Sequence, residues 1–292
     1  MSEDFVPQNG DNTPTSEGME RPSGMQQALD EWLREKGSAP QDVIALSIVV
    51  PSYNEERRLP PTLIDMIDFF DGHESSYEII VVDDGSRDGT TQVTKKFERI
   101  RSQVRRIILP KNYGKGHAVR TGALNAKGEL ILFADADGST PIGEVDRLVT
   151  AIRGGADIAI GSRALRSEET EVKTRFYRKI IGRVFNGLVN FFLIPGIADT
   201  QCGFKLFTRR AARFVFSKQT SDGFSFDIEL LLLARKVGLT VKEVPVNWTN
   251  IPGSKVNLII DSAKMFLDIF RFAFIHRSIL PSDYEEVSKE NL

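Results

Sequence analysis

The chain of 292 residues is 41% hydrophobic and 27% charged, long enough to bury a sizeable core in one large α/β domain with appendages or in two small ones. A formal net charge of -2 excludes the strongly basic surface of a general nucleic-acid binder, so any cationic patch must be local. The single cysteine, Cys202, excludes an intrachain disulfide framework and fits a reducing compartment, with the thiol acting as a small packed hydrophobe.

Residues 1–41 read as a polar, disordered tail with a short helix over 25–36, and no basic segment followed by an apolar one marks a secretory signal. From 42 to 255 the pattern is that of a single domain. It opens with the strand LSIVVPSY, a helix over 60–70, the strand EIIVVDD, a helix over 90–100 and the strand RRIILP. A helix over 115–126, the strand ELILFADAD, a helix over 143–152 and the strand ADIAIGSR follow. Short Val/Ile-rich runs alternating with helical patterns predict βαβ crossovers and a doubly wound, mostly parallel sheet flanked by helices. Pro60 and Pro61 favour a helix start, and the run 86–89 supplies a turn.

After Arg163 the alternation weakens. The segment 173–195 places Lys173, Arg175, Arg178, Lys179 and Arg183 beside Phe176, Ile180, Val184, Leu188 and Phe192, which recur every four residues as one apolar helical stripe. Such a helix lies at an anionic membrane surface or packs on a sheet. The loop DTQCGFKLF, the helix FDIELLLLARKVG and the strand TVKEVPVNW come next, then an amphipathic helix within 256–280 and a polar tail over 281–292. The longest apolar stretch, 185–198, is interrupted by Asn186, Asn190 and Pro195 and is shorter than the ~20 residues of a spanning helix, so a peripheral cytoplasmic location is expected.

Chemistry concentrates at strand ends. Asp135 and Asp137 in ILFADADGST close an apolar run, which puts hard oxygen donors where open α/β sheets bind ligands. Mg²⁺ or Mn²⁺ held together with the diphosphate of a sugar nucleotide suits that pair; the blander alternative is two carboxylates capping the next helix. Tyr53 in VVPSYNEE is either a stacking face for a base or a core ring, and Asp84 in VVDDGSRDGT can accept bonds from base N–H or ribose hydroxyls. Asp83 is a second such acceptor or a turn and cap residue. In NYGKGHAVRTG the glycines permit close backbone approach, and Lys115 is a nucleotide-site cation or a solvated lysine on a first helical turn. Neither GxxxxGK[ST] nor GxGxxG is present, so ATP and NAD are unsupported.

The ordered set VVPSYNEERRLP, VVDDGSRDGT, NYGKGHAVRTG, FADADGST, GSR, DTQCGFKLF, FDIELL and VNWTNIPGSK resembles family 2 glycosyltransferases of the GT-A fold over 46–275, and its last five members are most similar to the dolichyl-phosphate β-glucosyltransferase branch. The resemblance implies that Pro51, Tyr53 and Glu55 line the nucleoside pocket, that Asp84 meets uracil or ribose, and that Lys115, Asp135 and Ala136 lie in the donor site. It makes Asp137 the chief metal ligand, with Asp135 on the ribose or on the metal through water. Ser139 stands where mannosyl relatives carry a glutamine ligand, which leaves the third metal ligand open. Arg163, Arg178, Lys205 and Lys255 fall where relatives hold a lipid phosphate, and Asp227 either acts as a base or orients Lys205 or the sugar. The implied reaction is an inverting transfer of glucose from UDP-glucose to a polyprenyl phosphate. Transfer of another hexose such as mannose, transfer to a carbohydrate hydroxyl, and a non-catalytic nucleotide-sugar module are the alternatives.

Overall fold

The structure, a computed structural model, describes residues 44–73, 75–165, 167–173, 187, 196–251 and 258–289. The expected N-terminal tail and helix, most of the basic segment 173–195, Arg178 and Lys255 lie outside the described residues.

Four strand-helix alternations and a fifth strand occur where period-2 and period-3.6 patterns place them. They begin with β1 (Leu46–Ser52), α1 (Leu59–Asp71), β2 (Tyr77–Asp83), α2 (Thr90–Ile100), β3 (Val104–Ile108) and α3 (Lys115–Leu124). Next are β4 (Leu130–Ala134), a short 3₁₀ turn at Ile142–Glu144, α4 (Val145–Arg153) and β5 (Ile158–Ser162). Pro60 and Pro61 occupy the first turn of α1, where their missing N–H groups cost nothing. The remaining described elements are β6 (Val172–Lys173), β7 (Phe204–Thr208), α5 (Arg209–Lys218), α6 (Phe226–Lys236), β8 (Val241–Pro245), β9 (Trp248–Thr249), α7 (Leu258–Ile275) and α8 (Pro281–Lys289).

Among the described residues seven strands form one sheet in the order β3-β2-β1-β4-β7-β5-β8, parallel except for β7. After β3 the chain crosses to β4 on the other side of β1, and this reversal opens a crevice at the strands' carboxyl ends. Alternation splits the core into two layers. Val49, Ile80, Val82, Ile131, Phe133 and Phe207 face α3, α5 and α6, while Ile48, Val50, Ile79, Leu132, Phe204 and Leu206 face α1 and α4. Each large apolar side chain fully buried in this way contributes about 1.5–3 kcal/mol.

Four readings need correction. Phe204–Thr208 was expected as loop and is the interior strand β7, paired on both edges; Lys205 interrupts its apolar pattern yet points to the same face as its cross-strand partner Phe133. The helix α5, capped by the Thr208 hydroxyl accepting the Ala211 N–H at 3.3 Å, went unread because its arginines masked the buried Ala211, Phe214 and Val215. The segment expected as a polar tail forms α8, whose Tyr284 is buried edge-on against Phe214 at 5.4 Å with Arg210 over its ring. The strand expected across TVKEVPVNW divides after Pro245, and β9 leaves the main sheet to pair with β6.

Candidate active site

The crevice is built from residues just beyond β1, β2, β4 and β5. Its nucleoside-sized part is a cleft of about 470 Å³ lined by Tyr53, Gly85, Ser86, Thr91, Leu109 and Lys111 among others. Pro51, in register with Val82, is buried under this wall. Asp84 is buried with both oxygens engaged, accepting the Tyr113 N–H and the Gly114 N–H at 2.8 Å each, so it ties the entrance of α3 to β2. Burial raises the Asp84 carboxyl above the ordinary range, and those two amides pull partly the other way. Asp83 is a turn residue: it accepts the Ser86 N–H at 2.9 Å and also the Thr91 hydroxyl, without capping α2. Glu55 is buried and grips Arg58 through two bonds of 2.6 and 2.7 Å, and its backbone N–H donates to the Thr90 hydroxyl.

At the end of β4, Asp135 forms an ion pair of 2.6 Å with Lys115, with 32% of its side-chain surface exposed. Gly203 is required beside it, since a Cβ there would sit 2.0 Å from Asp135 Oδ2. Burial raises the Asp135 carboxyl, Lys115 opposes the rise, and Asp137 and Asp227 add to it. Lys115 is raised in turn, burial acting against the charge but Asp135 more than compensating. Ala136 is buried, its carbonyl accepting the Thr62 hydroxyl at 3.0 Å. Asp137 Oδ1 accepts the Ser139 N–H at 3.0 Å, while Oδ2 lies 3.8 Å from Arg58 Nη1. The Ser139 carbonyl accepts the Thr249 N–H at 2.9 Å, which pins β9 against the loop after β4.

On the other side, Asp199 holds Arg163 by a fork of 2.7 and 2.8 Å and also accepts its backbone N–H at 2.9 Å. Trp248 lies under the guanidinium at 5.5 Å, and Glu243 accepts the Ala198 and Asp199 N–H groups. Burial works to lower Arg163, but Asp199 outweighs it and the guanidinium stays firmly charged; Asp199 is correspondingly held below the ordinary carboxylate range despite its own burial. Lys205, expected among the lipid-phosphate cations, is wholly buried; its ammonium donates to Asp227 and to the Cys202 carbonyl, both at 2.5 Å. This corrects the expectation for Lys205: an interior strand gives it no surface to offer a headgroup. Asp227 takes the orienting alternative, paired to that lysine. The Cys202 thiol is packed between these groups and pushed up by burial to about 12, in keeping with a hydrophobic role.

Each cation of the cluster thus has its own carboxylate: Arg58 with Glu55, Lys115 with Asp135, Arg163 with Asp199, Lys205 with Asp227. Among the described residues Asp137 is a fifth carboxylate, with the edge of Arg58 at 3.8 Å as its salt-bridge partner. Among the described residues no three His, Cys, Asp or Glu side chains gather as a closed metal site. Two hard carboxylates at an open cleft suit Mg²⁺ or Mn²⁺ whose other ligands are phosphate oxygens and water. Arg58, Asp199, Glu243 and Trp248 received no role from sequence. Asp199 and Trp248 were visible in quoted motifs, and a carboxylate six residues before the buried Lys205 was the missed signal.

The family model for glycosyl transferase family 2 matches residues 47–216. The dolichyl-phosphate β-glucosyltransferase of Homo sapiens is 42% identical over 224 residues, covering 72% of this chain and 69% of that protein. The Saccharomyces cerevisiae enzyme of the same name is 41% identical over 252 residues, covering 80% and 75%. Among solved structures, mannosyl-3-phosphoglycerate synthase from Rubrobacter xylanophilus superposes with a TM-score of 0.62 at 19% identity, covering 85% of this chain and 77% of that one. Glucosyl-3-phosphoglycerate synthase from Mycobacterium tuberculosis, crystallised with Mn²⁺ and UDP-glucose, gives 0.60 at 18% identity, covering 86% and 82%. With its parallel sheet, its strand-end carboxylates and these relatives, the chain belongs to glycosyl transferase family 2 and is a glycosyltransferase of the GT-A fold.

Proposed function

We propose that this glycosyltransferase moves glucose from UDP-glucose to a dolichyl-type polyprenyl phosphate with inversion at the anomeric carbon. The observation that carries the reading is the pair of carboxylates Asp135 and Asp137 at the mouth of β4, with Lys115 on Asp135 and the edge of Arg58 near Asp137. Relatives named for dolichyl phosphate and glucose supply the substrate classes. Tyr53 and the loop at Asp84 receive the nucleoside, Asp135 and Lys115 the ribose and diphosphate side, and Asp137 with Asp135 holds Mg²⁺ or Mn²⁺. When bound, that cation neutralises charge on the departing diphosphate.

Arg163 presents the acceptor phosphate. Its Nε and Nη2 are fixed by Asp199, which leaves Nη1 in a set orientation for a phosphate oxygen. That oxygen forms the new bond to the anomeric carbon as the bond to the diphosphate breaks, and the electron pair leaves with UDP. Phosphate is already ionised near neutrality, so no strong base is needed and the protein's contribution is positioning and charge stabilisation. Transfer to a neutral hydroxyl would need Asp227 as a base, and its sealed pair with Lys205 argues against that role. Arg178 and Lys255, outside the described residues, remain proposed phosphate cations.

Membrane contact is part of the proposal. On α7 the residues Leu267, Phe270 and Phe274 lie on one face, 68%, 50% and 68% exposed, while Met265 and Phe272 on another face enter the core. A helix apolar on both sides, with Lys264 and Arg271 exposed between, suits an anionic lipid surface. No helix among the described residues is long and apolar enough to cross a membrane. Purified protein incubated with Mg²⁺, short polyprenyl phosphates and a panel of nucleotide sugars should yield a glucosyl lipid from UDP-glucose, identified by mass. A mannosyl lipid from GDP-mannose with no glucosyl product overturns the donor assignment.

A further inference from the structure

Two residues beyond Asp227 on α6, Glu229 is fully buried and ringed by donors. It accepts the Thr220 N–H at 2.9 Å, the Thr220 hydroxyl at 2.6 Å, the Ser221 N–H at 2.7 Å and His276 Nε2 at 2.7 Å. Burial pushes its carboxyl up, but the bonds from His276, Thr220 and Ser221 outweigh it and hold Glu229 below the ordinary range. An ionised carboxylate only accepts, so Nε2 of His276 carries the hydrogen. His276 is itself buried and stands immediately after α7, its N–H bonded to the Phe272 carbonyl at 3.0 Å.

The segment that Glu229 grips is also the one that meets α3. Gln219 Nε2 donates to the carbonyls of Gly116 at 2.9 Å and Ser221 at 2.6 Å, and the His117 N–H donates to the Asp222 carbonyl at 3.2 Å. The fit leaves no slack: a Cβ on Gly114 would lie 2.4 Å from the Asp222 oxygen, and one on Gly116 2.5 Å from the Ser221 oxygen. Between those two glycines stands Lys115, 2.6 Å from Asp135.

We propose that His276 is a positioning residue for the donor site: by fastening Glu229 it seats the 219–222 segment against Gly114–His117 and thereby sets Lys115 against Asp135. The inference rests on the reading of Lys115 and Asp135 as donor-site residues. A purely structural pair would contribute to stability alone. A positioning pair also changes the α3 entrance and the affinity for a nucleoside diphosphate. Three donors to Glu229 survive loss of the ring, so the fold is expected to persist in His276→Phe. His276→Gln restores an N–H near the position of Nε2.

The test is hydrogen exchange at the His117 amide together with calorimetric binding of uridine diphosphate in the presence of Mn²⁺. In His276→Phe the His117 amide should exchange about tenfold faster and uridine diphosphate should bind about tenfold more weakly, with both restored in His276→Gln. In a Lys115→Ala background His276→Phe should cost no further affinity, since it acts through that lysine. Unchanged exchange and affinity in His276→Phe, or an equal loss with and without Lys115, overturns the inference. Wild-type protein that binds no uridine diphosphate overturns the donor reading instead, while the His117 exchange still decides whether His276 seats the α3 entrance. Should His276→Phe not fold, Glu229→Gln carries the same comparison.

Discussion

Lys115 and Lys205 approach the same Phe133 ring, at 5.2 and 5.9 Å from its centre, and each is paired with an aspartate. The Lys115–Asp135 pair stands at the crevice with 24% and 32% of its side-chain surfaces exposed, whereas the Lys205–Asp227 pair has 0% and 5%. The first lies at the open carboxyl end of a parallel strand and the second on an antiparallel strand closed on both edges. Equal chemistry in equally recognisable motifs therefore has unequal availability. The half of the sheet built from β1 to β4 presents its charges, and the half built from β7 and α6 uses them to hold itself together.

The sharpest way to break this contrast is to remove the sealed cation. Lys205→Met leaves Asp227 without a partner in the interior and should destabilise the fold by about 3–5 kcal/mol in denaturant titration. The double variant with Asp227→Leu should recover most of that, as it removes both charges. A Lys205→Met protein of wild-type stability that has lost only acceptor binding would return Lys205 to the list of phosphate ligands.

On the donor side the expectation is reversed. Asp137→Asn keeps the shape and the Ser139 N–H bond but halves the hard oxygens offered to a cation at that position, and should lower turnover by about 10²–10³-fold with unchanged circular dichroism. Wild-type turnover in that variant, measured as Mg²⁺-dependent UDP release, would remove Asp137 from the centre of the mechanism.

The smallest effect is the pH response of stability. Glu78, Asp199 and Glu229 are lowered: burial raises each, but Ser47 and Arg105, Arg163, and His276 respectively, with further bonds, outweigh it. Their folded-state pKa values lie below the unfolded value of about 4, so their stabilisation is fully present above that pH and is lost as pH falls through the folded values. Asp84 and Asp135 are raised, burial being the first cause in both, so protonating them favours the folded state. With the lowered set held by ion pairs and hydrogen bonds, the melting temperature should be level from pH 7 to about 5 and fall below about 4. A melting temperature that climbs on acidification would mean that the raised site carboxylates dominate instead.

Much of the β1–β5 part could be read residue by residue. Its strands are short Val/Ile runs ending in Asp, Gly and Ser, a local pattern set by a period of two and by turn chemistry. That is why the β1–β5 alternation and the Asp135–Asp137 position emerged correctly. The half built from β7, α5, α6 and α8 was read less well for a definite reason. Lys205 broke the apolar run that marks a strand, and the arginines of α5 and the acidic residues of α8 disguised helices whose buried faces are completed by distant parts of the chain.

Composition, periodicity and motif order by themselves determined the sheet class, the carboxylate pair at a strand end and the glycosyltransferase family, because each depends on neighbours within one element or on an ordered string. Only the tertiary structure decided which charges are accessible. Whether Lys205 meets solvent or Asp227, which amides Asp84 accepts and which cation lies near Asp137 depend on long-range partners such as Lys205–Asp227, Asp84–Tyr113 and Arg58–Asp137. Burial and partner geometry set the cost of a charge, and neither is a property of local sequence.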